Sequence, residues 1–508
     1  MRTARSGAAW DALVVGAGPN GLAAAVTLAR AGLRVRVYER ADQPGGGAAT
    51  RELTLPGFRH DVCSAVHPMA FESRFFREFG LRRRVAFVTP DVSFAHPLDG
   101  GRAAVAHRDL ERTRDELGRD GRAYEALLRP LVNHSSDVAD FTGSSLLRVP
   151  PDLATALAFG WRSLEQGTGA RGLRFREDAA PALLSGVAAH TILSQPSVAA
   201  AGAGLALTAY AHAQGWPIPV GGSQAIVDAM VADLRAHGGE LVLEQEVAAL
   251  EDLPAARAVL LDVAPRAFIA MAGQAMPARY RRALERFRYG AAVAKVDFAL
   301  SEPVPWTNPH LHRAGTVHVG GTRAEITAAE NEVNAGGMPE RPFVLASQPS
   351  VFDDTRAPAG RHVLWTYTHV PAGSEVDRQE AVVRQIERFA PGFRDTILAT
   401  SSRTAVDVER HDPNYVGGDI AAGAPTLRQM IRRPVLRADP WRTPIPGVYL
   451  AGASAAPGPG VHGLVGWFAA LSALRHEFGT RALPDLSPAV EEAGGLDAVE
   501  SAQEAGVR

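Results

Sequence analysis

The sequence predicts an α/β protein: a Rossmann-like, parallel-sheet dinucleotide-binding domain, discontinuous along the chain, joined to a mixed α+β second domain. Three observations carry this. Residues Asp11 to Arg40, DALVVGAGPNGLAAAVTLARAGLRVRVYER, read as strand, glycine turn, helix, strand and acid. Short apolar runs that end in a loop or on glycine return at Ala258–Asp262 and Val448–Ala451. Between them lie a long helical stretch and strongly alternating strands that no nucleotide-binding unit requires.

In the first unit, Leu13, Val14 and Val15 form a buried strand that stops at Gly16. Gly16, Gly18 and Gly21 have the G-x-G-x-x-G spacing. The first allows the tight turn, the second lets a pyrophosphate approach the backbone, and the third lets helix and strand sit close. Leu22 to Arg30 is an alanine-rich helix ended by Gly32. Its N-terminus offers unpaired N–H groups and a positive dipole end to phosphate. Val35, Val37 and Tyr38 make the second strand. Glu39 follows about 20 residues after the glycines, where a carboxylate binds a ribose hydroxyl.

Gly45, Gly46 and Gly47 mark a loop where the backbone approaches something closely. His60, Asp61 and His67 come next; without a further ligand at a fixed spacing, local hydrogen bonding is expected rather than metal binding. Glu72 to Gly215 is expected to be mostly helical, with apolar residues at helical spacing through Tyr124–Phe141 and Leu153–Leu164. Helix Ala225–His237 and strands Glu240–Glu246 and Ala258–Asp262 return to the nucleotide domain. Strands Tyr289–Leu300, Val344–Gln348 and Val363–His369 and helix Arg378–Phe389 belong to the second domain. The boundaries that follow are 10–70, 216–288 and 435–480 for the nucleotide domain, 71–215 and 289–434 for the second domain, and 484–508 for a disordered tail.

Composition excludes several functions. The 508 residues are 46% hydrophobic and 21% charged, with a formal net charge of -2, so nothing attracts nucleic acid. Cys63 is the single cysteine, which excludes a disulfide framework and a C-x-x-C redox pair. No signal peptide and no bilayer-spanning run is visible, so a cytoplasmic location is expected. The apolar Val198–Ala213 stretch leaves a peripheral membrane contact open. Lys295, the only lysine, sits mid-strand among Val293, Val296 and Phe298, where desolvation is costly unless it has a task or a partner. Trp365, Tyr367 and His369 alternate on one strand and share a face; both a substrate wall and sheet packing remain open.

Together these motifs resemble the flavin-dependent oxidoreductases of the phytoene desaturase and amine oxidase superfamily. Within it, the chain is similar to the phytoene-dehydrogenase-related branch that includes the mitochondrial pyridine nucleotide-disulphide oxidoreductase domain proteins. The matching segments are Asp11 to Gly47, LTLPGFRHDVCSAVHP from Leu53, IPVGGSQAIVDAM from Ile218, YGAAVAKVDFAL from Tyr289, NYVGGDI from Asn414 and PIPGVYLAGASAAPGPGVHG from Pro444. They reach across nearly the whole chain.

The resemblance implies FAD in an extended pose, within an FAD-binding domain capped by a substrate domain. Gly16, Gly18, Gly21, Glu39 and Arg40 would hold the ADP half, Val247 would meet the adenine through its backbone, and Gly45, Gly46 and Gly47 would lie near the ribityl and flavin. Gly452 and Ala453 would contact pyrophosphate and ribityl, although many relatives carry an acid where Ala453 stands. Gly460, Val461, His462 and Gly463 would open the last helix beneath the flavin, where free N–H groups stabilise negative charge. Lys295 would correspond to a lysine that holds a water at flavin N5, and His462 would position substrate or act as a base or cap the helix. Val461, where amine oxidases place an aromatic, argues against an amine substrate. The implied activity is hydride removal from a C–H bond of an apolar small molecule, by a dehydrogenase, desaturase or oxidase. No second dinucleotide fingerprint appears, so electrons would pass to oxygen, a quinone or another external acceptor. A flavin-binding regulatory protein with little turnover and a flavin-dependent isomerase remain the alternatives. Location would be mitochondrial in a eukaryote.

Overall fold

The computed structural model describes residues 9–488. Two sheets organise it. The first is five-stranded and parallel, in the order Val448–Leu450, Ala258–Leu261, Ala12–Val15, Val35–Tyr38, Glu240–Val242. Ala12–Val15 and Ala258–Leu261 are wholly apolar, as in a sheet covered on both faces, whereas Val35–Tyr38 alternates, with Arg36 half-buried, and Glu240–Val242 begins on an exposed acid.

The first helix runs Pro19–Arg30. It begins three residues earlier than the apolar pattern suggests, because Pro19 needs no N–H at the first helical position. Leu22, Val26 and Leu28 are fully enclosed, each worth about 1.5–3 kcal/mol of burial. Ala23, Ala24 and Ala25 keep the rest of the surface flat. The last helix, Leu464–Glu477, presses onto it so closely that a Cβ on Gly466 would fall 1.7 Å from the Asn20 carbonyl.

The second sheet is seven-stranded, in the order Ile397–Arg403, Ala292–Leu300, His362–Val370, Val344–Ser347, Ala314–Val319, Val92–Leu98, Arg102–His107. Neighbours are antiparallel except the parallel pair Ala314–Val319 and Val92–Leu98. On one face Val296, Phe298 and Leu364 pack under helix Gln379–Glu387. The opposite face carries Lys295, Leu345, Tyr367 and His318, which register directly opposite one another along one row: His318 with Leu345, Leu345 with Tyr367, and Tyr367 with Lys295.

Several expectations are corrected. The stretch 72–215 is mostly helical as expected, but it also holds the strands Phe87–Val88, Val92–Leu98 and Arg102–His107, which no pattern marked. Val92–Leu98 is buried along its whole length, so it lacks the alternation that would mark it. The strand expected over Glu240–Glu246 ends at Val242, and Glu244 takes φ 55. The expected helices do form, as Gly121–Val132, Ser135–Thr142, Leu153–Gln166 and Val198–Ala213. Val198–Ala213 is largely buried, and among the described residues no helix is long and apolar enough to cross a membrane. Of the tail expected to be disordered, Leu486 is buried and its carbonyl accepts from Arg84 at 3.4 Å; residues 489–508 lie outside the described residues.

Candidate functional site

A cavity of about 650 Å³ runs from the glycine turn to the row-bearing face of the second sheet, within the range of ligand sites. At its first end the backbone is shaped by close approaches. A Cβ on Gly21 would lie 2.1 Å from the Gly16 carbonyl oxygen, and one on Gly18 would lie 3.0 Å from Asp262 Oδ2. Gly452 is held equally tightly, with its Cβ position 3.0 Å from Asp262 Oδ1. Gly47 meets the second domain: a Cβ there would fall 2.1 Å from the Tyr415 hydroxyl. These glycines are therefore fixed by neighbouring atoms as well as by turn geometry.

Of the residues the sequence singles out, Gly16, Gly18, Glu39, Arg40, Gly46, Gly47, Val247, Gly452, Ala453, Gly460 and Val461 line the cavity. Glu39 is braced by two backbone groups, accepting the Ala17 N–H at 2.8 Å and the Ala41 N–H at 2.9 Å. Arg40 donates to the Arg410 and His411 carbonyls at 3.2 and 2.9 Å, tying that segment over the same end. Gly21 and Gly45 support the turn from behind. Gly45, at φ 133, has Gln224 and the Ala49 backbone against it.

Lys295 and His462 do not line the cavity. Lys295 is 4% exposed; its ammonium is held by the Asp297 carboxylate and lies 5.5 Å from the centre of the Trp365 ring. Its position beneath Trp365 is that of a buried ion pair. His462 uses both ring nitrogens within its own loop. Nδ1 accepts the Leu464 N–H at 3.0 Å and Nε2 donates to the Gly458 carbonyl at 3.2 Å, while burial pushes its pKa down to about 4. That geometry caps the last helix and turns the imidazole away from the chamber. Gly463 lets the same turn form, with φ 67 against the Phe75 ring.

His60 and Asp61 serve structure. His60 bonds Thr54 at 2.8 Å, and Asp61 accepts from Arg356 at 2.6 Å in a pair with no exposure on either side. His67 does line the cavity. Ser223 Oγ gives its proton to the Ser64 carbonyl, so the 2.7 Å contact with His67 is a donation from Nε2, which leaves the Nδ1 lone pair without a partner among the described residues. Among the described residues no group of His, Cys, Asp or Glu side chains is arranged for a metal.

Several residues at the site carry no sequence signal strong enough to find them. Asp262 reads as the end of a strand, yet its Oδ2 accepts the Gly21 N–H at 2.9 Å at the helix N-terminus. Burial raises its pKa to about 7, opposed by that hydrogen bond and assisted by the charges of Asp412 and Glu39. An acid directly after an apolar strand run would have been the clue. His190, which lines the opposite end, comes from an alanine-rich turn with no spacing to betray it. Trp365 and Tyr367 both line the cavity, whereas His369 is enclosed and bonds Glu330 at 2.7 Å.

Comparison with known proteins agrees with this architecture. Residues 14–79 match the family model described as NAD(P)-binding Rossmann-like domain. The chain is 26% identical to the rat protein named pyridine nucleotide-disulfide oxidoreductase domain-containing protein 2, over 90% of this chain and 92% of that one. It is 24% identical to the phytoene desaturase (neurosporene-forming) of Rhodobacter capsulatus, with the same two coverages. Among solved structures it shares its fold with a redesigned putrescine oxidase (TM-score 0.56, 16% identity, 92% of this chain and 99% of the other). Cyclohexylamine oxidase from Brevibacterium oxydans is similar to the same degree (TM-score 0.55, 14% identity, 93% and 100%). A dinucleotide cofactor at the glycine end follows from the family model and the fold together.

Proposed function

We propose that this chain, one of the FAD-dependent oxidoreductases of the phytoene desaturase and amine oxidase superfamily, binds FAD along the cavity and oxidises a C–H bond of an apolar small molecule held against the second sheet. The observation that carries the reading is the continuity of the chamber: one cavity joins the glycine cradle of a dinucleotide to an aromatic wall made by Trp365 and Tyr367.

The residues present fit the cofactor. The cradle at Gly16 and Gly18 leaves backbone where a side chain would stand, and Asn20 Oδ1 and His67 Nδ1 are enclosed polar atoms along the same cavity with no partner among the described residues. An enclosed polar atom without a partner is costly unless a ligand supplies one. Gly16, Gly18 and the helix N-terminus behind them would hold the pyrophosphate, Glu39 the ribose and the Val247 backbone the adenine. Gly46, Gly47, Ala453, Gly460 and Val461 would border the far half. When bound, the flavin supplies the hydride acceptor.

The protein's own part is binding and exclusion. Ile192, Leu207, Leu345 and Trp365 give the substrate end an apolar lining that favours a desolvated hydrocarbon frame. Helix Val198–Ala213 contributes Leu207 to that end, and the Arg433 guanidinium, donating to the Ala421, Ala422, Gly423 and Ala453 carbonyls, fastens the loops beside it. An external acceptor such as oxygen or a quinone would take the electrons onward. The test is direct: purified protein should be yellow and release FAD on denaturation, and anaerobic mixing with apolar dehydrogenation substrates should bleach the flavin band. Colourless protein that does not take up added FAD would refute the proposal.

A further inference from the structure

Part of the polar lining at the substrate end can donate hydrogen bonds. His190 lines the wall and its Nε2 lies 2.8 Å from His318 Nε2. One of the two must donate. His318 Nδ1 is enclosed with no partner among the described residues, beside Gly186, whose Cβ position it would meet at 3.1 Å. A proton there would be an orphaned buried N–H, which is rarer in proteins than an unpaired acceptor. His318 therefore carries its proton on Nε2 and donates it to His190. His190 accepts on Nε2, so its own proton sits on Nδ1. No hydrogen bond engages that Nδ1 among the described residues. Burial pushes the His190 pKa down to about 3, so the ring is a neutral donor.

Two further groups stand with it. Tyr367 lies along the His318–Leu345 row, and its hydroxyl makes no hydrogen bond among the described residues. Trp365, with its ring 5.1 Å from that of Tyr367, has an enclosed Nε1–H with no partner among the described residues. The carboxylates that line the cavity, Glu39, Glu246, Asp262 and Asp412, gather at the dinucleotide end. The turn that presents His190 is itself strained. Ile192, a β-branched residue, takes φ 55 and ψ 33, and the Asn334 side-chain amide donates to its carbonyl at 3.2 Å. Strain of this kind is kept where surrounding contacts over-determine it, often at functional sites.

We propose that the substrate is an apolar molecule bearing a carbonyl oxygen, which docks on His190 and Tyr367 beside Trp365. A carbonyl has two lone pairs and no proton to place, which suits N–H donors; an ammonium would find no carboxylate in the cavity lining at this end. This rests on the oxidoreductase reading only in placing the substrate at this end.

The experiment uses three probes of one shape: 4-phenylbutan-2-one, butylbenzene and 4-phenylbutan-2-amine. Their binding to the full-length protein, loaded with FAD, is followed by perturbation of the flavin absorption and independently by tryptophan fluorescence. The ketone should bind about tenfold tighter than the hydrocarbon, and His190→Phe should remove that advantage while leaving butylbenzene binding unchanged. Tyr367→Phe, a smaller change, should remove part of it and serves if His190→Phe does not fold. Equal binding of ketone and hydrocarbon, tightest binding of the amine, or an equal loss for all probes in the variants would overturn the inference. If the protein takes up no FAD, the oxidoreductase reading falls. The fluorescence titration of the same protein still decides the ketone preference.

Discussion

Asp262→Asn isolates the electrostatics of the dinucleotide end. The wild-type carboxyl titrates near 7 in the fold against an ordinary value of 3.8. Between those values the folded protein holds a proton that the unfolded chain has released. Stability therefore falls as pH rises from about 4 to 7 and is level above that. Each pH unit of separation is worth about 1.4 kcal/mol, which sets a ceiling of about 4 kcal/mol. The carboxyl borders a cavity that admits water, so about 2 kcal/mol is the expected size. Asparagine keeps an oxygen for the Gly21 N–H and removes the titration. Chemical denaturation of the apoprotein at pH 5 and pH 8 should show wild type losing about 1 kcal/mol relative to the variant, since that interval spans about two thirds of the titration. Cofactor affinity should follow the same sign, because a pyrophosphate beside an ionised Asp262 is repelled: wild type should bind more weakly at pH 8 than at pH 6, and the variant equally at both. Parallel stability curves for the two proteins would refute the argument and return Asp262 to the role of a simple cap.

Three further outcomes follow from close contacts. Gly47→Ala should lose about 1–3 kcal/mol and much of its cofactor through collision with the Tyr415 hydroxyl, and Tyr415→Phe in the same chain should restore a good part of both, measured as a double-mutant cycle. Arg356→Met leaves Asp61 charged and enclosed, so a loss of about 3–5 kcal/mol in urea denaturation is expected, largely recovered when Asp61→Asn is added. Lys295→Met should destabilise by a similar amount, about 3 kcal/mol, by stranding Asp297. Because the ammonium does not reach the cavity, reoxidation of the reduced holoprotein by oxygen should be unchanged; a slower rate would restore the role that its strand position suggests.

What could be read from the chain was what local spacing records. The G-x-G-x-x-G turn, its helix and Glu39 obey rules written within one unit, and Gly16, Gly18 and Glu39 stand where the spacing puts them. Ala292–Leu300 and Val92–Leu98 are both buried along their whole length; the first was legible because Lys295 and Asp297 alternate with Val296 and Phe298, and the second carries no such charged alternation. Side-chain roles at the far end were the hardest. Lys295 drew attention as the only lysine, but its partner two residues on, Asp297, lies on the same face of the strand and settles its surroundings. His462 lies in the expected loop, and only the orientation of its ring shows that both nitrogens are spent there. His190 acquires meaning through His318, a residue from a distant strand that no local pattern connects to it.

The order of strands in the parallel sheet has a consequence for how the protein comes into being. Val448–Leu450 forms the edge next to Ala258–Leu261, and the loop after it supplies Gly452, Ala453, Gly460 and Val461 to the cavity. A nascent chain therefore cannot grip its cofactor when the glycine turn leaves the ribosome; it must wait for more than four hundred further residues, and the sheet closes on pairings of very long sequence separation. Such topologies fold slowly and expose apolar strands meanwhile. Capture of the dinucleotide is then a late event that rewards completion, and a chain cut before Val448 should accumulate without cofactor however intact its opening motif.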